Sequence, residues 1–443
     1  MQIYLTQDGS HTGPFTLEEV QRMLGSGQRS PDDYAWHQGL ANWVPLSSIL
    51  SSQTALVPPP MPPPYAAQGV DWRQRAGAAF EKVAGDISTV AGGERIEGLD
   101  GREFFSNVFK KRTDEEMENL FVTGTRFATP LLKDIKTQWP KPWVFFKAIV
   151  VSLLVFGGFY YGSVQMNDST MIPGAILVGS FAIPLSALIF FIEMNVARNI
   201  SVYQILKLVM MGGVIALLIA ILLEDWIIPK FSTAMQAWGT ALTAGVAEES
   251  GKALVAIFFM GKRRYNWLLN GLLIGAAIGT GFGAFESAGY ALNTMLVNYK
   301  QMIADQNSAE WTQVVAATMH EIELRGMLAP LGHIAWTALA VAALWKVKGR
   351  EKFRWEMVKD LRFLRVLGLV AVLHFLWDSP LIVPFVGDAL GDVLKCLILG
   401  VIAWIAVFGY IQKGLKEIRL AQSEAELGAP GAASAAPPPL GVA

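Results

Sequence analysis

Residues 266–291 read NWLLNGLLIGAAIGTGFGAFESAGYA and decide what kind of fold this chain can adopt. Glu286 is the only charged residue in the stretch. A helix needs about 20 consecutive, mainly apolar residues to cross a bilayer, and this stretch is long enough. Glycines recur at every fourth position, which places them on one helix face: Gly271, Gly275, Gly279 and Gly283. A stripe of small residues allows a neighbouring backbone to approach closely, so the stretch predicts a tightly packed transmembrane helix.

The composition of the whole chain agrees with a membrane protein. Of its 443 residues, 52% are hydrophobic and 16% are charged, whereas a soluble domain carries about 25% charged residues. The net charge of −1 provides no broad basic surface, so we expect no nucleic-acid partner. The single cysteine, Cys396, excludes a disulfide framework and every zinc cluster built on several cysteines.

Eight apolar stretches are long enough to span a bilayer, and they predict a polytopic α-helical membrane protein with a small α/β domain at its N-terminus. The predicted spans are 143–164, 171–193, 203–225, 236–260, 266–291, 328–346, 366–386 and 391–412. Basic residues crowd alternate connections, such as Lys346–Arg365, whereas the other connections hold only Lys230, Lys300 and Arg325. The predicted loop 296–320 has Lys300 alone. By the positive-inside rule, both termini are cytoplasmic and this loop lies outside.

The shifts in composition along the chain predict five segments. Thr16-x-x-Glu19 and Thr113-x-x-Glu116 are capping boxes, so each predicts a helix start. The segments are an α/β domain (1–50), a Pro-rich linker (51–70), a cytoplasmic juxtamembrane helical segment (71–142), a transmembrane domain (143–412) and a disordered cytoplasmic tail (413–443).

Ionisable side chains cluster in four consecutive predicted spans. Each charge inside a membrane helix costs about 2.5–3.5 kcal/mol on insertion scales, which makes a functional role the default interpretation. The motifs are Glu248-Glu249-x-x-Lys252, Phe282-x-x-x-Glu286, His333, and His374-x-x-Trp377-Asp378. Helical spacing places Glu248 above Lys252, and His374 above Asp378, on common faces. Carboxylates and imidazoles together could deprotonate a water for attack on a carbonyl.

Other protease chemistries lack their motifs, and three other roles remain open at this point. His320-Glu321 lies in a predicted loop without a second histidine, and no Gly-x-Ser-x-Gly turn occurs. The charged residues could instead form a buried ion network that locks helix packing. They could also serve a proton-coupled transporter, or the chain could be a scaffold that acts through its N-terminal domain.

The four motifs, in this order and on successive helices, resemble those of the PrsW family of intramembrane proteases, which is distantly similar to the CAAX-processing glutamate proteases. The resemblance covers roughly 203–412 and implies that Glu248 or Glu249, with Glu248 preferred, is the general base. It implies that Glu286 helps to hold the water and that His374 and Asp378 stabilise the oxyanion. His333 would be a further polar ligand, with Lys252, Phe282 and Trp377 in supporting positions.

The same resemblance carries expectations about cofactor, substrate and place in the cell. A divalent metal, zinc above all, could be held by the six catalytic candidates, since the family is often labelled as metal-dependent. The implied substrates are membrane-associated proteins, with membrane-anchored regulators such as anti-sigma factors as one class. The implied location is the bacterial inner membrane, in contact with the lipid bilayer.

Residues 1–48 resemble the GYF-like domains found at the termini of bacterial membrane proteins. The matching residues include Gly13-Pro14-Phe15-Thr16 and a set of aromatic side chains. The resemblance implies a groove for proline-rich peptides lined by four aromatic residues: Tyr4, Phe15, Trp36 and Trp43. The same four residues could instead form the core of this small domain. This chain itself contains two such segments, at 58–64 and 437–439.

Overall fold

A computed structural model describes residues 1–7, 10–53, 72–125, 127–227, 235–259, 265–304 and 311–428, and it divides the chain into two compact units, Met1–Ala79 and Phe80–Ala443. The Pro-rich segments at 58–64 and 437–439, and most of the predicted linker, lie outside the described residues.

The first unit is a four-stranded antiparallel sheet with two short helices. The strands are β1 (Ile3–Gln7), β2 (Ser10–Phe15), β3 (Tyr34–His37) and β4 (Val44–Pro45), in the order β2-β1-β3-β4. The helices are α1 (Leu17–Gly25) and α2 (Leu46–Gln53). Thr16 and Glu19 form the predicted capping box at the start of α1. The core is small and apolar: Ile3, Leu5, Val20, Ala35, Leu46 and Ile49.

The juxtamembrane segment contains less helix than the sequence predicted for 71–142. Its helices are α3 (Trp72–Val90), which crosses the boundary between the two units, α4 (Gly101–Phe104) and α5 (Asp114–Phe121), with a 3-10 turn at Leu132–Asp134. Thr113 and Glu116 form the predicted capping box of α5. The non-helical stretches of this segment pack against the helix Asp388–Glu426. Glu94 N–H donates to Gly409 O (3.0 Å), and the Trp139 ring contacts the Phe408 ring.

Helices account for most of the second unit. They are α6 (Val144–Val164), α7 (Ile172–Leu177), α8 (Ile183–Met194), α9 (Val202–Lys207), α10 (Gly213–Ile227), α11 (Gln236–Phe259), α12 (Leu268–Ala304), α13 (Trp311–Leu328), α14 (His333–Lys348), α15 (Leu361–Asp378) and α16 (Asp388–Glu426). Single π-helical turns, Val178–Ala182 and Leu208–Gly212, join α7 to α8 and α9 to α10.

Within the described residues, six helical segments are long and apolar enough to cross a membrane, so the chain is a multi-pass membrane protein. Helices also occupy the positions of the other two predicted spans, in α11 and α15. Each of these carries three charged residues and is therefore less apolar: Glu248, Glu249 and Lys252 in α11, and Arg362, Arg365 and Asp378 in α15. The number of eight spans stays a prediction.

Helix α12 lies at the centre, and its glycine stripe faces α14 as predicted. A Cβ added at Gly271 would lie 2.6 Å from Cβ of Trp345, and one at Gly275 would lie 2.7 Å from Cα of Ala338. A Cβ at Gly279 would meet the backbone oxygen of His333. The stripe therefore brings the α14 backbone against α12 and fixes the position of His333.

Replacing Gly275 with alanine should destabilise the protein, because the new methyl group meets backbone atoms that cannot rotate away. Overpacking of this kind costs about 1–3 kcal/mol. Gly289 lies on the same helix with no atom within 4 Å of an added Cβ, so Gly289→Ala is the matched control. Thermal unfolding in detergent should show a lower melting temperature for Gly275→Ala than for Gly289→Ala. Equal melting temperatures would contradict the close packing.

Two regions are helical where the sequence predicted none. His320 and Glu321 lie within α13, so much of the predicted outer loop is helix. Helix α16 continues to Glu426, so residues 413–426 are not part of a disordered tail. Tertiary contacts explain the longer helix, since Gln422 Nε2 donates to Leu132 O (2.8 Å) and Lys416 pairs with Glu94 at 3.0 Å.

Candidate active site

Helix α11 provides two carboxylates and the cation that lies between them. Lys252 Nζ donates to Oε2 of Glu248 (3.1 Å) and to Oε1 of Glu249 (2.9 Å). All three side chains are buried, with exposed fractions of 6% for Glu248, 1% for Glu249 and 0% for Lys252. The ammonium also lies 3.8 Å from the centre of the Phe282 ring, a cation–π contact. Lys252 is thus the internal counter-ion of the glutamate pair.

His333 is the first residue of α14 and links this group to α12. Its Nδ1 lies 3.0 Å from Lys252 Nζ, and its Nε2 lies 2.9 Å from Oε2 of Glu286. An ammonium group can only donate hydrogen bonds, so Nδ1 of His333 is the acceptor. The ring proton of the neutral imidazole is therefore on Nε2, where it faces the Glu286 carboxylate.

His374 and Asp378 on α15 complete the group from the other side. Nδ1 of His374 donates to Oε1 of Glu249 (3.0 Å), while Nε2 lies 3.1 Å from Oδ2 of Asp378 and 3.7 Å from Oε2 of Glu248. The indole ring of Trp336 stacks on the imidazole at 4.7 Å, and Trp377 contacts that indole edge-on at 5.3 Å. The aromatic rings restrict how far the imidazole can turn.

A cavity of about 870 Å³ opens onto one side of this group. Five of the six predicted catalytic residues line it: Glu248, Glu286, His333, His374 and Asp378. Glu249 and Lys252 are absent from its wall, as the described residues define it, and lie behind the other residues. A substrate or water molecule in the cavity would therefore reach Glu248 before Glu249.

Two residues of the site were missed by sequence reasoning. Arg325 on α13 lies 2.8 Å from Oε1 of Glu286, although charge counting had placed it in a connecting loop. Trp336 stacks on His374 and lines the cavity, although none of the sequence motifs included it. For Arg325 the available signal was its rarity, since it is one of only three basic residues on the less basic side of the predicted topology.

The donor set of a metal site exists, but other contacts already engage its atoms. Four residues each offer one ligand atom, and these atoms lie within 4.8 Å of one another: Glu248, Glu249, His333 and His374. Lys252 Nζ, however, lies within 3.1 Å of three of these residues, and Nδ1 of His374 donates to Glu249. A zinc ion would need the same lone pairs at about 2.0–2.2 Å. The arrangement does not fit a metal while the ammonium holds this position.

The aromatic residues predicted for the N-terminal domain are divided between its surface and its core. Tyr4 lies 6.2 Å from Trp36 and 6.3 Å from His11, and His11 lies 6.4 Å from Trp43 (ring centres). These four rings form one continuous surface, to which sequence reasoning had not assigned His11. Phe15 packs against the apolar core instead.

A multi-pass fold with carboxylates and histidines around a cavity is the arrangement expected of an enzyme that works within the membrane. Residues 201–414 match the model of a family described as PrsW family intramembrane metalloprotease, and residues 4–50 match GYF domain 2. The chain therefore carries a PrsW-family intramembrane peptidase domain at 201–414 and a GYF domain at 4–50, as the motifs predicted. No curated protein and no solved structure is significantly similar to it.

Proposed function

We propose that this peptidase hydrolyses membrane-associated proteins with a water molecule that Glu248 activates. The observation that carries the proposal is the placement of the two carboxylate oxygens of Glu248. Oε2 accepts from Lys252, whereas Oε1 has no partner among the described residues and belongs to a side chain that lines the cavity. A positioned carboxylate with one free oxygen is suited to accept a proton from water.

In the proposed reaction, Glu248 takes a proton from the water molecule while the oxygen of that water attacks the scissile carbonyl carbon. Nδ1–H of His374 stays on Glu249, and Nε2–H of the doubly protonated ring, which faces Asp378 at 3.1 Å in the free site, donates to the oxygen that becomes negative. Collapse of the tetrahedral intermediate breaks the C–N bond, and the proton on Glu248 passes to the leaving amine. Lys252 keeps Glu249 paired, so that the neighbouring charge does not turn Glu248 away from the cavity.

Purified protein in lipid discs, incubated with membrane-anchored test substrates, provides the test of this proposal. Mass spectrometry of the products should reveal new termini produced by hydrolysis of a peptide bond at membrane depth. His374→Ala, checked for folding by its melting temperature, should lose most of this activity because the oxyanion loses a donor worth about 10²–10³-fold in kcat. Normal turnover by this variant would remove His374 from the mechanism.

The proposed location is the bacterial inner membrane, with both termini in the cytoplasm. The supporting observation is the distribution of Lys and Arg, which is dense after α14 and after the apolar part of α16. A reporter fused after Gly428 should therefore respond as cytoplasmic, and one inserted at 305–310 as external. Detection of both reporters on the same side would contradict this orientation.

The GYF domain is proposed to bind proline-rich segments of a partner, or of this chain, on the surface formed by Tyr4, His11, Trp36 and Trp43. Polyproline II peptides bind such aromatic surfaces and lose little conformational entropy. Titration of residues 1–53 with a peptide of residues 55–66 should shift the indole NMR signals of Trp36 and Trp43. A peptide with its prolines replaced by alanine is the control. Equal shifts with both peptides would contradict recognition of proline.

A further inference from the structure

Arg325 extends the charged group of the active site to a fifth element, helix α13. Its Nη2 lies 2.8 Å from Oε1 of Glu286, and the other oxygen of this carboxylate lies 2.9 Å from Nε2 of His333. Glu286 thus bridges a guanidinium group and an imidazole. The contacts continue from His333 Nδ1 to Lys252 and from there to Glu248.

We propose that Arg325 is a positioning residue, which holds Glu286 so that His333 keeps its proton on Nε2 and accepts from Lys252 through Nδ1. The inference rests on the proposed function, in which Lys252 holds the glutamate pair. Arg325 itself touches neither the proposed water nor Glu248 in any contact of the described residues.

The surroundings of Arg325 hold its side chain in one place. The guanidinium lies 3.9 Å from the centre of the Tyr290 ring, and its Nε lies 3.9 Å from Oε1 of Glu321. An aromatic face and two carboxylates therefore surround a planar cation whose donors have fixed directions. Lysine has the charge but lacks this fork, so it can replace only part of the function.

Loss of Arg325 would leave Glu286 with His333 as its only cationic or donor partner among the described contacts. The carboxylate could then turn, and Nε2 of His333 would lose a defined acceptor. Because hydrogen bonds at one ring nitrogen select the tautomer, the proton would redistribute between Nδ1 and Nε2. A proton on Nδ1 would point at the ammonium of Lys252 and break that contact.

The test compares Arg325→Gln and Arg325→Lys with Arg354→Gln, which removes an exposed guanidinium paired with exposed Glu351. We expect Arg325→Gln to lower kcat at least about tenfold with little change in KM, since a group that acts through the catalytic residues affects the transition state. Arg325→Lys should retain more of kcat, and Arg354→Gln should match the wild type. A change confined to KM would overturn the proposal.

A second measurement does not depend on activity. The chain has five histidines, so ¹⁵N-histidine labelling gives few signals, and comparison with His333→Gln identifies that of His333. The wild type should show the Nε2–H form, and Arg325→Gln should show a mixture of tautomers. An unchanged His333 signal in Arg325→Gln would overturn the inference. If the wild type cleaves no substrate and Arg325→Gln still shows the mixture of tautomers, only the proposed function would be overturned.

Discussion

Replacing Glu248 with glutamine is expected to lower kcat by about 10²–10⁴-fold, the contribution of a positioned general base. The amide is nearly isosteric with the carboxylate, so the helices should keep their packing, but it cannot accept the proton of the attacking water. Lys252 would still be paired with Glu249. The measurement is the initial rate of substrate cleavage in lipid discs, with the melting temperature of each variant as a check on folding.

Asp225→Asn is the matched control for this substitution. Asp225 is an exposed carboxylate near the end of α10 and does not belong to the cavity wall. The control should cleave substrate at the wild-type rate, whereas Glu248→Gln should not. A Glu248→Gln protein that is folded and retains near-normal turnover would remove Glu248 from the reaction.

Replacing Lys252 with methionine is expected to abolish activity and also to reduce stability. The side chain is fully buried between Glu248 and Glu249, and methionine leaves these two carboxylates without their cation. Removing one partner of a buried ion pair costs about 3–5 kcal/mol, because the remaining charge is uncompensated. Thermal unfolding in detergent should show a clearly lower melting temperature.

A compensating variant separates charge balance from catalysis. Lys252→Met combined with Glu249→Gln removes one charge of each sign, so we expect the melting temperature to recover in part while activity stays absent. A Lys252→Met protein with the melting temperature of the wild type would show that the ammonium is not the counter-ion of the pair.

Much of the membrane fold could be predicted from the sequence because hydrophobic length and helical spacing are local properties. The helices lie where apolar stretches were found, and the glycine stripe of α12 faces α14. The one-turn spacing of His374 and Asp378 also placed both on one side of α15, where their side chains meet at 3.1 Å.

The remaining features depend on contacts between distant segments, which local patterns do not report. Arg325 was read as a loop residue because charge counting ignores tertiary contacts, and only the packing of α13 brings it to Glu286. The last turns of α16 were read as disordered from their composition, yet Arg419 and Gln422 bind backbone oxygens in the segment 132–137. The sequence resemblance already preferred Glu248 over Glu249 as the general base, and the proposal keeps this choice because Glu248 lines the cavity and Glu249 does not.

The most direct test of the central claim is the cleavage rate of purified protein before and after treatment with a strong chelator, with metal content measured on the same samples. If Glu248 activates water beside the Lys252 ammonium, chelation leaves the rate unchanged, samples with far less than one metal ion per chain remain active, and Glu248→Gln is inactive throughout. Loss of activity on chelation, restored by adding zinc, would contradict the account.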